Sequence, residues 1–390
     1  MTKDFDIIII GGGLVGVIAA ISFAKIGLSI AIIERRKTDF FINPTHYDGR
    51  DSAITKGSWD LLADACLTDQ LIDYAGKIEK IKITDQDSIL GLEFDNQLIG
   101  SLPLGYMIDN VLLLQKSYEA ALRDPNIKIF DSEICSNVEF SDNNVAVTLL
   151  NDKISGSFLI AADGKHSELK RKFDIKTIGW DYDQAAIVFH VEHSLNHQNI
   201  AEEKFFKSGP FAILPLYSGY ESAIVWTEAK ATAKLLMQMP ESEFMYFAQK
   251  KLGDSLGAVK LATKPFSYPL SVGYVQDYYY KRMLIIGDAA HSIHPIAGQG
   301  LNLGLKDVAR LRDLISTQLM SNNSIDFAML ATSYQSSARP VNLQMIAATS
   351  MLDVLFSNDW ALLKLSRRLG LALVNQVSFV QKFLMKYAMK

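Results

Sequence analysis

The segment from Phe5 to Glu34 constrains the fold of this chain more than any other. Phe5–Ile10 is apolar and rich in β-branched residues, the pattern of a central strand in a parallel sheet. Gly11-Gly12-Gly13-Leu14-Val15-Gly16 follows, then a helix-length run from Leu14 to Lys25 with Gly27 placed as a C-cap. Leu28–Ile33 reads as a second apolar strand, with Glu34 at its end. The glycines of the GxGxxG serve different ends. Gly11 permits the tight turn, Gly13 admits a pyrophosphate against bare backbone, and Gly16 lets helix and strand pack closely. The helix N-terminus offers free N–H groups and a positive dipole end to phosphates. Glu34 is placed to accept hydrogen bonds from ribose hydroxyls. Arg35 and, in the loop beyond, Arg50 are candidates for a bidentate phosphate contact, whereas Arg36 and Lys37 read as solvated surface.

Ile7 to Ala24 is also an apolar and small-residue run long enough to resemble a membrane span. Its flank argues otherwise, because Met1–Asp6 carries a net negative charge where a signal peptide has a positive one. Four glycines inside the run suit a turn better than a continuous helix. At 390 residues the chain exceeds what one core usually holds, so two domains are expected. A charge sum of 39 − 43 = −4 is too near neutral for a nucleic-acid partner. Cys66 and Cys135 stand far apart, which removes a disulfide framework and a zinc–cysteine site and fits a reducing compartment.

Arg35–Asp51 reads as a loop and Ser52–Cys66 as a helix. Lys80–Ile83 and Ile89–Phe94 form a hairpin pattern around Asp85-Gln86-Asp87. Asn110–Leu122 is helical, Ile127–Ile160 reads as short strands, and Tyr182–Thr227 is strand-rich. Arg282–Ile286 restores a buried parallel strand, followed by a Gly-rich loop and a helix through Leu314; from Tyr334 onward the chain is helical in character. The expected fold is α/β: a Rossmann-type domain with a parallel sheet, interleaved with a β-rich domain and followed by C-terminal helices. The expected divisions are 1–78, 102–176 and 277–340 for the first domain, 79–101 and 177–276 for the second, and 341–390 for the helices.

Two further motifs sit at strand ends. Leu159–Ala162 delivers Asp163-Gly164, and Leu284–Ile286 delivers Gly287-Asp288. Asp288 is well placed for a polyol hydroxyl. Beyond it, Gly298 and Gly300 let backbone approach a flat ring, and a helix starting near Leu301 points its dipole at negative charge there. His291 and His294 lack a third ligand at metal spacing, so no metal site is expected.

In this order the three motifs resemble the class A flavoprotein aromatic hydroxylases, and His294–Asp307 matches the signature of the subfamily acting on ubiquinone precursors. Supporting matches are Gly49-Arg50, Leu104-Gly105-Tyr106, Gly209–Pro215, Val225-Trp226 and Leu355–Asn358, so the resemblance spans essentially the whole chain. It implies FAD, with Gly11, Gly13, Gly16 and Glu34 on the ADP half, Arg50 on the pyrophosphate, and Asn110 as a further contact. Asp163 would be shared between FAD and nicotinamide phosphates, Asp288 would bind ribitol, and Gly300, Leu301 and Asn302 would face the ring. The implied reaction hydroxylates a polyprenylated phenol with O2 through a flavin C4a-hydroperoxide, in ubiquinone biosynthesis. NAD(P)H or a separate reductase would supply electrons. Lys170 stands where the family usually has Arg, which bears on nicotinamide docking.

No catalytic base is assigned; His190, His193 and His197 read as structural, and Gly209–Pro215 as a wall of the substrate pocket or a plain sheet core. A non-catalytic FAD- and prenyl-lipid-binding accessory protein, or a hydroxylase of another aromatic substrate, stands as the alternative. Basic and apolar residues mixed after Asp359 suggest peripheral contact with the inner face of the membrane by a cytoplasmic protein, within a possible ubiquinone-biosynthesis assembly.

Overall fold

The computed structural model describes residues 4–44, 48–86, 91–293 and 299–356. Among them an eight-stranded sheet contains β1 (Phe5–Ile10), β2 (Ile30–Glu34), β8 (Ile127–Asp131), β9 (Asn137–Phe140), β10 (Val145–Thr148), β11 (Lys153–Ala161), β18 (Tyr279–Tyr280) and β19 (Met283–Ile285). Its spine runs β18-β19-β11-β1-β2-β8, and every pair from β19 to β8 is parallel. Ile7, Ile8 and Ile9 are fully buried because β1 lies mid-sheet with helices over it.

Those helices are α1 (Leu14–Ala24), α5 (Asn110–Arg123) and α9 (Gln299–Asn322). Every residue of α1 from Gly16 to Ala24 is buried, which explains why the sequence there is apolar on all faces without crossing a membrane. No described helix is long and apolar enough to cross one.

The nine-stranded sheet holds β5 (Lys80–Asp85), β6 (Gly91–Asp95), β12 (Thr177–His193), β13 (Ile200–Phe206), β14 (Gly209–Pro215), β15 (Glu221–Ala229), β16 (Val259–Leu261), β17 (Phe266–Val275) and β20 (His291–Ser292). Apart from the parallel pairing of β13 with β5 it is antiparallel. Along β14, Phe211 and Ile213 face a core built with α7 (Lys230–Leu236) and α8 (Glu241–Leu252), so the alternate residues face the other way. The hairpin of β5 and β6 forms as expected, with residues 87–90 of its turn outside the described set. Short helices α4 (Thr68–Leu71) and α6 (Glu168–Lys172) complete the connections.

Ser52–Cys66 departs from the helical expectation. Asp51–Thr55 is a strand, β3, and only Lys56–Asp64 is helical, as α3. The physical reason lies in alternating burial across 51–54, pairing with β7 (Gly105–Asp109), and the Thr55 side chain, which caps α3 by accepting from Ser58 N–H. β4 (Gly76–Ile78) pairs on the far side of β7, leaving β3 at the edge of this three-stranded sheet. The loop expected across Arg35–Asp51 contains a short helix, α2 (Asp39–Ile42). At the C-terminal side, α10 (Phe327–Phe356) is continuous through Pro340, so a division at 340–341 falls within a helix. The stretch proposed for membrane contact, beyond Asp359, lies outside the described residues.

The open edge of β3 is covered by one side chain. Asn302 of α9 is fully buried; its Oδ1 accepts from Thr55 N–H at 2.9 Å and its Nδ2 donates to the Ala53 carbonyl at 2.7 Å. An amide thus stands in for a neighbouring strand. Asn302→Ala leaves both backbone groups without these partners and is expected to lower unfolding free energy by about 1–3 kcal/mol, read by urea denaturation.

Candidate active site

The C-terminal ends of β2, β11 and β19 each deliver an acid to the same sheet edge: Glu34, Asp163 and Asp288. Ligands of open parallel sheets bind at this edge. Ala162 N–H donates to Ile10 C=O and Ile286 N–H to Ala161 C=O, so the three motifs, distant in sequence, abut. Gly11 packs directly against this junction. Its φ is +104°, and a Cβ there would lie 2.4 Å from the Ala162 carbonyl oxygen. At Gly16 a Cβ would stand 1.9 Å from Gly11 O, whereas at Gly13 it would meet nothing within 4 Å. Gly11 and Gly16 are therefore demanded by packing; Gly13 borders open space at the N-terminus of α1, where no side chain caps the helix.

That space is a cleft of about 1320 Å³ between the two large sheets. It exceeds the roughly 300–1,000 Å³ of a single small-molecule site, leaving room for two ligands. Gly11, Gly13, Glu34, Arg35, Arg50 and Asn110 line it, as do Asp163, Asp288, Gly300 and Leu301. Gly16 lies beneath the turn, and the Asn302 side chain is turned to β3 instead. Gly298 and His294 are outside the described residues.

The acids differ in their bonding. Glu34 accepts from Gly12 N–H at 2.8 Å and from Arg36 N–H at 3.0 Å, and Tyr118 OH holds the Gly12 carbonyl at 2.9 Å. Asp163 accepts from the N–H groups of Glu168 and Leu169 at the start of α6, and burial pushes its pKa up. Asp288 is solvent-accessible at the cleft wall; desolvation by the surrounding protein raises its pKa, opposed by the charges of His291, Arg50, Lys165 and Lys170. Asn110 accepts from Ser52 Oγ at 2.6 Å. Arg50 pairs with Asp48 at 2.5 Å and lies over the Tyr268 ring. Lys170, the departure from the family pattern, has its pKa lowered by burial, with Asp163 and Asp288 opposing.

The Gly287-Asp288 turn is fixed from α9. Asp307 Oδ2 accepts from Gly287 N–H at 3.0 Å and lies 2.6 Å from His291 Nε2, both side chains fully buried or nearly so. His291 thus has a carboxylate partner inside the fold.

Sequence reading missed two features on the β-rich side: the partner of His190, a residue that reads as structural, and Glu203. His190 Nε2 lies 2.6 Å from Asp51 Oδ2, bridging β12 to the cleft-lining end of β3. Burial lowers the pKa of His190, but the hydrogen bond and charge of Asp51, with Asp109 and Glu221 beyond, outweigh it and hold it above the usual value. The partners are 139 positions apart, so no local pattern marks them. His193 bonds to Leu195 O, two positions on, and to Ser222 Oγ of β15, and His197 bonds to Leu216 O. The second missed group is Glu203, buried in the cleft wall. Pro210, Ala212 and Leu214 line the cleft on alternate positions of β14, so the Gly209–Pro215 segment is both a pocket wall and, through Phe211 and Ile213, a sheet core.

The donor set fits a dinucleotide such as FAD: a bare glycine backbone at a helix start, a ribose-level acid, flanking arginines and a polyol-level acid. The FAD binding domain family matches residues 4–349. The ubiquinone hydroxylase UbiL of Rhodospirillum rubrum is 36% identical, aligned over 99% of this chain and 90% of its own. The mitochondrial ubiquinone biosynthesis monooxygenase COQ6 of Danio rerio is 29% identical over 99% and 90%. Among solved structures, p-nitrophenol 4-monooxygenase PnpA of Pseudomonas putida superposes with a TM-score of 0.81 at 14% identity, covering 100% of this chain and 99% of that one.

Two measurements check this site. Gly13→Val is expected to fold and to lose bound flavin, because its side chain occupies the open space, whereas Gly16→Val is expected not to fold; dichroism and flavin stoichiometry separate the two. The His190–Asp51 pair also sets a pH dependence. A histidine whose folded pKa is raised contributes stability that is full below its unfolded value, near 6.5, and is lost as pH rises through the folded one. His190→Gln should therefore cost about 1.5–3 kcal/mol in mildly acidic buffer and progressively less in alkaline buffer, by thermal unfolding across pH.

Proposed function

The chain belongs to the FAD binding domain family, and on that premise we propose that it is an FAD-dependent monooxygenase hydroxylating the ring of a polyprenylated phenol in ubiquinone biosynthesis. The observation that carries the reading is the cleft itself, polar along the parallel-sheet edge and apolar along β14 and β15. Gly11 and Gly13 would hold the pyrophosphate of FAD, with Glu34 on the adenosine ribose and Arg35 and Arg50 on the phosphate oxygens. Asn110, Asp163 and Asp288 would reach the polar chain, Asp288 its ribityl hydroxyls, while Gly300 and Leu301 would border the ring. Bound and reduced, FAD supplies the activation of O2 that places one oxygen atom on an electron-rich ring.

The protein's own residues set the conditions for that transfer. Pro210, Ala212, Leu214 and Ala223 exclude water from the apolar end of the cleft and give a flat ring and prenyl chain a dry surface. The first turn of α9, whose Gly300 and Leu301 line the cleft, would offer its positive end to a negatively charged cofactor ring. The 79–101 and 177–276 stretches would then form the substrate side and the remainder through 340 the cofactor side. Electrons would arrive from NAD(P)H or a separate reductase. Peripheral contact with the membrane surface, and with other proteins of the pathway, fits a substrate too apolar to diffuse through water.

The purified protein is expected to show flavin absorbance. A strain lacking it should accumulate an under-hydroxylated prenylphenol, detected by mass spectrometry of quinone intermediates, and should recover on complementation. Normal quinone levels without the protein would sink the reading.

A further inference from the structure

Strand β13 carries a carboxylate that the fold leaves without a partner. Glu203 sits between Ala201 and Phe205 on one face of the strand, opposite Ala212 of β14 and Ile83 of β5, and lines the cleft. It is 9% exposed, and among the described residues no hydrogen bond or ion pair reaches it. Its neighbours are accounted for: Glu202 pairs with Lys204 at 3.4 Å, and Lys204 also donates to the Leu252 carbonyl at the end of α8. Burial with nothing to offset it pushes the Glu203 pKa up to about 7. A largely buried carboxylate without a protein partner costs stability, so its presence in a ligand cleft points to a partner that the ligand brings.

Sheet register places this group relative to the cofactor side. Glu203, Ala212, Val225 and Val188 form one row across β13, β14, β15 and β12. Val188 lies under Gly49, beside Arg50. Three strand spacings, roughly 14 Å, therefore separate Glu203 from that wall, enough for an aromatic ring between them. The other titratable groups on this face include Asp85 of β5, buried opposite Phe205, His190 of β12, occupied by Asp51, and Glu192 of β12, paired with Lys260 of β16. Glu221 at the start of β15 and Tyr268 of β17, whose hydroxyl donates to the Asp48 carbonyl, complete the set among the described residues. From β14 only Pro210, Ala212 and Leu214 share it, and Leu355 of α10 covers Phe205 and Ile83.

We propose that Glu203 accepts the substrate's phenol hydroxyl and is the base that takes its proton during hydroxylation. This rests on the reading of the substrate as a phenol. The O–H bond breaks, its electron pair stays on the ring oxygen, and the proton passes to a Glu203 carboxylate oxygen. The ring becomes electron-rich at the carbons that receive oxygen from the FAD- and O2-dependent reaction. When the oxygenated carbon releases its own proton to solvent and aromaticity returns, Glu203 gives its proton back to the ring oxygen and is a carboxylate again.

The test compares FAD-loaded wild type with Glu203→Gln, using a soluble methoxyphenol bearing one prenyl unit as the probe. Flavin is reduced with dithionite, O2 is admitted, and hydroxylated product is measured in single turnovers across pH, alongside probe binding, flavin content and thermal midpoint. Wild-type yield should rise as pH passes about 7. The Gln variant should keep its flavin, bind the probe, melt no lower than wild type, and yield roughly 100-fold less product near neutrality. Its yield should recover only as the free phenol ionises, near pH about 10. A Gln variant with wild-type yield and pH profile overturns the proposal alone. So does a variant that melts lower and loses flavin in proportion to product, which marks a structural role. A wild type that hydroxylates no probe overturns the functional reading, and this proposal with it.

Discussion

A pair of close backbone approaches governs the rest of the molecule: Gly11 passing beneath the Ala162 carbonyl, with Gly16 packed on Gly11 in turn. No side chain fits at either point, so the first turn, α1 and the end of β11 are locked to one another. The same crowding recurs around Val15, against which a Cβ on Gly287 or Gly304 would press at 3.1 and 2.6 Å. Four glycines from three stretches thus bring α1, the Gly287-Asp288 turn and α9 within reach of a common ligand. Because β1, β2, β11 and β19 run parallel, their ends all open on one side, and their acids gather there.

Side-chain staples hold what the glycines allow. Asp307 ties the Gly287 turn to α9, Asn302 ties α9 to β3, and the His190–Asp51 pair ties β3 to the second sheet. A chain of such bonds runs from the cofactor-like edge to the apolar wall. It explains how strands from opposite halves of the sequence present one continuous cleft, with charge concentrated at one end and Glu203 isolated at the other.

Much of this was legible in the sequence because it is local. The alternation of apolar strand, glycine turn and helix between Phe5 and Glu34 is read from adjacent residues, and so are the acids at the ends of β11 and β19. Ser52–Thr55 misled because its strand character depends on pairing with Gly105–Asp109, some fifty positions away, and on an edge filled by Asn302. The family resemblance implies Asn302 at the ring but not the engagement of its buried side-chain amide with β3. Glu203 escaped notice for a related reason. In Glu202-Glu203-Lys204 nothing tells which acid turns inward; the strand register decides it, burying Glu203 while Glu202 pairs with Lys204.

The central claim is that oxygen from O2 reaches a phenol ring bound against β14. The direct measurement reduces the FAD-loaded protein, admits isotope-labelled O2 in the presence of a prenylphenol, and follows the label by mass spectrometry. One labelled oxygen atom in the hydroxylated ring, lost on replacing Ala212 with a bulky side chain that fills the wall, is the predicted result. Label recovered only in hydrogen peroxide, with the phenol unchanged while flavin is fully reoxidised, would contradict it.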